Sequence, residues 1–358
     1  MTPYFLLLGI PAIFALFASG TSKVKRKEKT PTVPIHAFFL IFLILLCLRD
    51  VSVGVDLKNY RSFFEDAKGV GFLETFTAYV EPGYFVIAKL SQLVTGEFQF
   101  FLAIISMISV IPFWVLYKRE SKDAYLTIIL FATVAPFTMF FSGVRQVLAM
   151  AFAVPAYYYT KKKKLLQFLV VVAVAVYFHQ SALLLLAFYP VFHIRLSKNT
   201  FFVAVPLMFG VLYFNREIFT FMLRFLGERY VTRYSDMTST GAYTVLILLF
   251  ALAVFSFVIP DNQKLDGDAK GLRSILLLCV LIQCFAPIHS IAMRMNYYFL
   301  MFIPILIPKI IAAAKDTNKQ LASMSVIAMN FVFTTWFFYN AYFGADILNV
   351  FPYIPYWR

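Results

Sequence analysis

The sequence predicts an all-α protein, a polytopic bundle of transmembrane helices, on three observations. Its 358 residues are 61% hydrophobic and only 14% charged. Mean hydropathy is +0.78, outside the range of water-soluble chains. Apolar stretches of roughly 20 residues, the length that crosses a hydrocarbon core of about 30 Å, recur along nearly the whole chain. Such stretches are too long for barrel strands, and only helices and closed barrels satisfy every backbone group in lipid. The expected architecture is a single integral membrane domain over residues 1–358, with about ten full spans and two partial or re-entrant helices.

The elements follow in order. Pro3 to Ala18 lacks the basic leader of a cleavable signal and reads as a retained first span. The run Lys23, Lys25, Arg26, Lys27, Lys29 after it is the strongest positive-inside signal and puts the N-terminus outside. Ile35 to Leu48 returns outward. Residues 49–97 change to mixed charge and scattered aromatics, with Tyr84 to Val94 too short to cross, and read as an external segment of interfacial or re-entrant helices.

Phe98 to Tyr117 then enters and stops at Lys118, Arg119 and Lys122; Ala124 to Phe141 leaves; Val144 to Tyr159 comes back to Lys161–Lys164. Leu165 to Phe192 raises a parity conflict, because Arg195 and Lys198 behind it also belong inside. A broken helix or hairpin with His179 near its outer tip resolves it. Phe201 to Phe214 goes out, 215–241 with Arg216, Arg224, Arg229 and Arg233 forms a second external segment, and Tyr243 to Ile259 returns. The loop Pro260 to Arg273 is cytoplasmic. Ser274 to Ala292, Asn296 to Ala313 and Ala322 to Tyr342 complete the bundle.

The net charge of +14 sits in short clusters between apolar segments instead of covering one face, which argues against nucleic acid and for helix orientation and anionic headgroups. Cys47, Cys279 and Cys284 lie inside apolar stretches without paired spacing, so neither a disulfide framework nor a metal site is expected. The chain has no Walker loop, zinc spacing or Ser-His-Asp nucleophile signature, so no cofactor and no coupling to ATP are expected. Most of the 43 Phe and 21 Tyr read as lipid-facing bulk and interfacial anchors.

This topology brings Arg49, Asp50, Asp56, Glu81, Arg145, His179, His289 and Arg294 to the outer half of the bundle. Any one of them has a plain reading as a snorkelling cation, a cap or an interhelical hydrogen bond. Arg145 and Gln146 start a helix after a Ser-Gly turn, an arrangement of guanidinium, amide and free backbone N–H groups suited to phosphate or pyrophosphate. His179 interrupts an apolar run, and beside a carboxylate such as Glu81 it would accept a sugar hydroxyl proton. Glu81 or Asp56 is a candidate base or the group that orients the His. Arg294, with Asn296, Tyr297 and Tyr298, supplies a second cation with aromatic neighbours.

Four motifs, Arg49 with Val53-Gly54-Val55-Asp56 and Tyr60, then Glu81-Pro82-Gly83-Tyr84, Ser142-Gly143-Val144-Arg145-Gln146 and Phe178-His179-Gln180-Ser181-Ala182-Leu183, occur in this order and spacing. Together they resemble the EpsG-like branch of the bacterial O-antigen and exopolysaccharide polymerases, the Wzy class, over roughly residues 40 to 190. The resemblance implies a membrane glycosyltransferase-like bundle in the bacterial inner (cytoplasmic) membrane, active at its outer face and independent of metal. Its substrate would be a polyprenyl-diphosphate-linked oligosaccharide, whose growing chain moves to the non-reducing end of a lipid-linked repeat unit. On this reading Arg145, Arg294 and Arg49 hold the diphosphate, and His179, Glu81 and Asp56 form the catalytic set. Gln146, Ser181, Tyr298 and Tyr84 orient substrate, and a chain-length regulator is a candidate partner. A ligase-like glycan transferase and a non-enzymatic flippase for lipid-linked oligosaccharide remain as alternatives. Against the flippase stand the missing internal repeat and the clustering of polar residues on one face.

Overall fold

Helix breaks, more than helix lengths, decide how this apolar sequence folds. In the computed structural model the described residues are 1–21, 32–69, 71, 74, 81–226, 243–260 and 263–358. The basic run Lys23–Lys29, part of the 49–97 segment, and Arg229 and Arg233 lie outside them. Among the described residues the secondary structure is helical throughout, with one isolated antiparallel bridge between Arg49 and Pro355.

The helices are α1 (Thr2–Thr21), α2 (Val33–Leu48), α3 (Leu57–Asp66), α4 (Pro82–Gln92), α5 (Phe98–Glu120), α6 (Ala124–Thr133), α7 (Met139–Ser142), α8 (Val144–Ala151), α9 (Ala153–Lys161) and α10 (Leu165–Phe178). A 3-10 segment, Gln180–Ala187, leads into α11 (Phe188–His193), α12 (Lys198–Tyr213) and α13 (Asn215–Leu226). After these come α14 (Tyr243–Val258), α15 (Gly267–Gln283), α16 (Ser290–Leu300), α17 (Ile303–Ala314) and α18 (Lys319–Phe343).

By length and apolarity, α5 and α18 are long enough to cross a membrane. Counting bent pairs as single spans adds α12 with α13, bent by 74°, and α16 with α17, bent by 49°. Among the described residues two to four spans are clear by length and apolarity, set against an expected count of about ten, and six shorter apolar helices accompany them. The physical reason is local. Ala124 to Phe141, expected as one crossing, breaks after Thr133, where Pro136 offers no N–H and the Ala135 N–H reaches back to the Leu130 carbonyl at 3.1 Å. Val144 to Tyr159 breaks at Phe152, three residues before Pro155. Leu165 to Phe192 breaks at His179, where a broken helix was expected, and the backbone of His179 is extended.

Several helix starts are capped by polar side chains. Asp123, Ser197 and Asp266 each accept an N–H from the first turn of α6, α12 and α15. The Asp266 cap starts α15 earlier than hydropathy suggested, so Lys270 and Arg273, expected in a loop, are helical. Arg273 is buried, donates to the Leu196 carbonyl at 2.9 Å and covers the Phe257 ring at 4.0 Å.

The chain divides into two compact units, Met1–Leu186 with Val326–Arg358, and Ala187–Ser325. The first is cored by α2, α5 and α6, where Phe39, Phe42, Phe131 and Phe137 interlock with ring centroids 5.0 to 6.4 Å apart. A second cluster gathers Tyr60, Phe64, Tyr84, Phe101, Val144 and Leu148. At the far end of α5, about 34 Å away by helix rise, Lys161 pairs with Glu120 at 3.0 Å, so the basic clusters 118–122 and 161–164 share one end of this unit.

The C-terminal residues close the first unit over the loop after α2. Asp50 N–H donates to the Ile354 carbonyl, Gly54 N–H to Asn349, Val55 N–H to Leu348, and Tyr356 N–H to Leu48, each at 2.9 Å. Asn349, at φ 53°, adds a side-chain bond to the Ser52 carbonyl at 2.6 Å. Gly54, at φ 114°, is needed here because a Cβ would lie 2.0 Å from the Phe141 carbonyl oxygen.

Candidate active site

Four short segments of the first unit, each interrupted where a helix starts or ends, meet above the second aromatic cluster. Pro82 opens α4, since its missing N–H costs nothing at a first helical turn, and Glu81 therefore stands at the mouth of that helix. Gly83 behind it lets the Phe178 ring approach, because a Cβ at 83 would lie 2.6 Å from Phe178 Cδ1. Phe178 is the last residue of α10, so this contact delivers His179 to Glu81. Gly143 separates α7 from α8, no side chain caps α8, and Arg145 is its second residue.

The outcome is a three-residue network. Glu81 Oε1 and His179 Nδ1 are 2.7 Å apart, and Arg145 Nη1 donates to Glu81 Oε2. One carboxylate thus bridges a guanidinium and an imidazole drawn from positions 64 and 98 residues away in the chain. All three side chains are partly exposed, at 25% for Arg145, 28% for His179 and 13% for Glu81, which leaves them reachable from outside the core. Glu81 lies outside the candidate spans. Burial opposes its ionisation, but the His179 hydrogen bond and the Arg145 charge outweigh that and hold its carboxyl down to about 2. The carboxylate is therefore charged, and it favours the tautomer with hydrogen on Nδ1, which leaves the Nε2 lone pair for a proton.

Asp56 joins this region from the position just before α3. The Ser142 hydroxyl donates to Asp56 Oδ2 at 3.1 Å and accepts the Asp56 N–H at 3.3 Å, so Asp56 is tied to the turn that launches Arg145. Tyr60, one helical turn on from Asp56, places its ring 5.7 Å from the Arg145 guanidinium carbon. Tyr84 is fully buried, and its hydroxyl donates to the Tyr60 carbonyl. Gln146 is buried behind Arg145, and Ser181 is half-buried in the 3-10 segment after His179.

Arg49 is placed differently. It is 1% exposed, and its guanidinium donates to the Leu46 carbonyl at 2.6 Å and the Phe140 carbonyl at 3.4 Å while facing the Phe141 ring. In this conformation it serves carbonyls freed at the broken ends of α2 and α7. Arg294 and Tyr298 belong to the second unit, where Arg294 is exposed on α16 and Tyr298 is fully buried. His289 caps that helix, its Nδ1 accepting the Ile291 N–H at 3.0 Å.

Sequence reasoning assigned no role to Ser142, Tyr60, Phe178 or the C-terminal residues. The i, i+4 spacing of Asp56 and Tyr60 was the available signal for Tyr60, since it puts both on one helical face. Among the described residues no three His, Cys, Asp or Glu side chains gather in a group of the kind that holds a metal ion.

With this geometry in place, comparison with known families finds one match: a family model described as the EpsG family covers residues 33–356, nearly the whole chain. No curated protein and no solved structure matches it.

Proposed function

Since the chain belongs to the EpsG family, a Wzy-like polymerase family of membrane proteins, we propose that it is a glycosyltransferase that lengthens a lipid-linked polysaccharide. It acts at the outer face of a bacterial cytoplasmic membrane, on an oligosaccharide carried by a polyprenyl diphosphate. The observation that carries this reading is the Glu81 carboxylate shared between His179 and Arg145.

The transfer needs three things of the protein. The acceptor hydroxyl, at the non-reducing end of a lipid-linked repeat unit, must lose its proton as it attacks, and His179 Nε2 takes it while Glu81 stabilises the imidazolium that forms. The anomeric carbon must be released from the diphosphate as the new C–O bond forms, and Arg145 receives the negative charge that the departing diphosphate keeps with the bonding electrons. The two groups must be held in fixed relation, which the shared carboxylate does. Asp56 holds the Ser142 turn, Tyr84 and Gln146 brace the walls, and Ser181 lies next to the base. Arg294 is a cation of the type the diphosphate calls for, exposed on its own helix.

Reconstitution in nanodiscs with a polyprenyl-diphosphate oligosaccharide tests the reading. The wild-type protein should yield a ladder of chain lengths, and Arg145→Ala or His179→Ala should slow extension on the order of 100- to 1000-fold while the protein still inserts. Arg294→Ala belongs in the same series. A normal ladder from either Arg145→Ala or His179→Ala overturns the assignment.

A further inference from the structure

Arg145 has a seat that the catalytic reading does not use. Its guanidinium meets Glu81 through Nη1, and its Nε is buried without a hydrogen-bond partner among the described residues. Beneath it lies the Tyr60 ring, 5.7 Å from centroid to guanidinium carbon. That ring is itself immobilised. Tyr60 is 6% exposed, its ring packs against Tyr84 at 5.6 Å and Phe63 at 6.1 Å, and the Tyr84 hydroxyl donates to its carbonyl. Tyr84 stands three residues after Glu81, so one short helix and its N-cap residue carry the hydroxyl that ties down the Tyr60 main chain and the carboxylate on Arg145.

Two constraints of different character therefore act on one cation. The ion pair with Glu81 is directional and must loosen when a diphosphate claims the guanidinium's donors. The Tyr60 side chain adds an attraction independent of Glu81, through its hydroxyl as well as its ring, and the ring face consumes no N–H, so that part persists as the ion pair is exchanged for the ligand. A guanidinium held only by Glu81 would swing free at that moment, at a cost in side-chain entropy for every binding event.

Resting on the reading of Arg145 as the diphosphate cation, we propose that Tyr60 is a positioning residue, a fixed aromatic platform that keeps the Arg145 guanidinium aimed while its partner changes from Glu81 to the lipid diphosphate. The platform acts on binding of the donor and leaves proton transfer at His179 alone.

The test separates KM from kcat for the lipid-diphosphate donor in nanodiscs. Tyr60→Leu should raise donor KM about two- to tenfold and leave kcat at saturating donor within about twofold, the range expected for one cation–aromatic contact. Tyr60→Phe, which keeps the ring and loses only the hydroxyl's bond to Arg145, should recover most of that rise in KM. Tyr84→Phe should raise KM in the same direction by loosening the ring's support, and it carries the test if Tyr60→Leu fails to insert. An unchanged KM in Tyr60→Leu, or a Tyr60→Phe that behaves like Tyr60→Leu, overturns the platform; so does an unchanged KM in Tyr84→Phe where Tyr60→Leu does not insert. If Arg145→Ala abolishes extension while Tyr60→Leu keeps wild-type KM, only Tyr60's part fails. Normal polymer from Arg145→Ala sinks the underlying reading instead.

Discussion

Adding one methyl group at Gly83 should disable the site without touching any charged residue. An alanine Cβ would lie 2.6, 2.8 and 2.9 Å from Phe178 Cδ1, Cε1 and Cγ. Comfortable carbon contacts are about 3.5–4.0 Å, so the ring must retreat by about 1 Å. It has little freedom to turn aside, since one face is stacked on Phe152 at 5.4 Å and Tyr177 abuts it at 6.0 Å. The displacement passes to the backbone at the end of α10, and His179 moves with it. A retreat of that size stretches the 2.7 Å contact with Glu81 to roughly 3.7 Å, beyond hydrogen-bond range. A misplacement of about 1 Å in a catalytic group costs on the order of 100-fold in rate, whereas overpacking of this kind costs only about 1–3 kcal/mol of stability. Initial rates of chain extension, with thermal unfolding of the same samples, separate the two effects. Gly83→Ala combined with Phe178→Leu makes room for the methyl group and should recover about tenfold of the lost rate. A Gly83→Ala protein with wild-type rate refutes the steric reasoning. A double variant that stays slow at normal stability refutes the route through Phe178.

Two further outcomes follow from the same geometry. Glu81→Gln should lower thermal stability at neutral pH by on the order of 3 kcal/mol, the equivalent of a carboxyl held down to about 2 from 4.5. Because the folded value lies below the unfolded one, that contribution is present above pH 4.5 and is lost as pH falls toward 2; a gap between wild type and variant that stays constant from neutral pH to pH 3 contradicts it. Asn349→Ala should cost about 2 kcal/mol, because it loses both the Ser52 bond and a side chain that tolerates left-handed backbone, while Asn349→Gly should cost about half of that; equal unfolding temperatures for the two variants would remove the backbone part of that account.

The helical class and the membrane habit were legible because composition and apolar run length are sums over many residues. The candidate site was legible in pieces, since Glu81-Pro82-Gly83, Ser142-Gly143-Val144-Arg145 and Phe178-His179 are local patterns that mark helix starts and stops. Which piece meets which was not legible. Nothing in the spacing says that Glu81 takes both His179 and Arg145 while Asp56 is occupied by Ser142. Arg49 illustrates the limit from the other side: its charge is obvious in sequence, but the carbonyls of Leu46 and Phe140 that absorb it exist only because helices break there. The same breaks explain the span count. Hydropathy adds apolar residues across Pro136 and Phe152 without registering that the helix ladder is lost at each, whereas the break at His179 was legible from the basic residues behind it.

The strand-like pairing of residues 348–356 with residues 48–55 ties the sidedness of two distant places together. Whatever compartment receives one receives the other, since neither can be drawn through the bilayer while they share main-chain bonds. A cysteine-labelling or reporter-fusion experiment near Tyr356 therefore also reports the leaflet of Asp56, and through Ser142 that of the Arg145 turn, without disturbing the polar network itself.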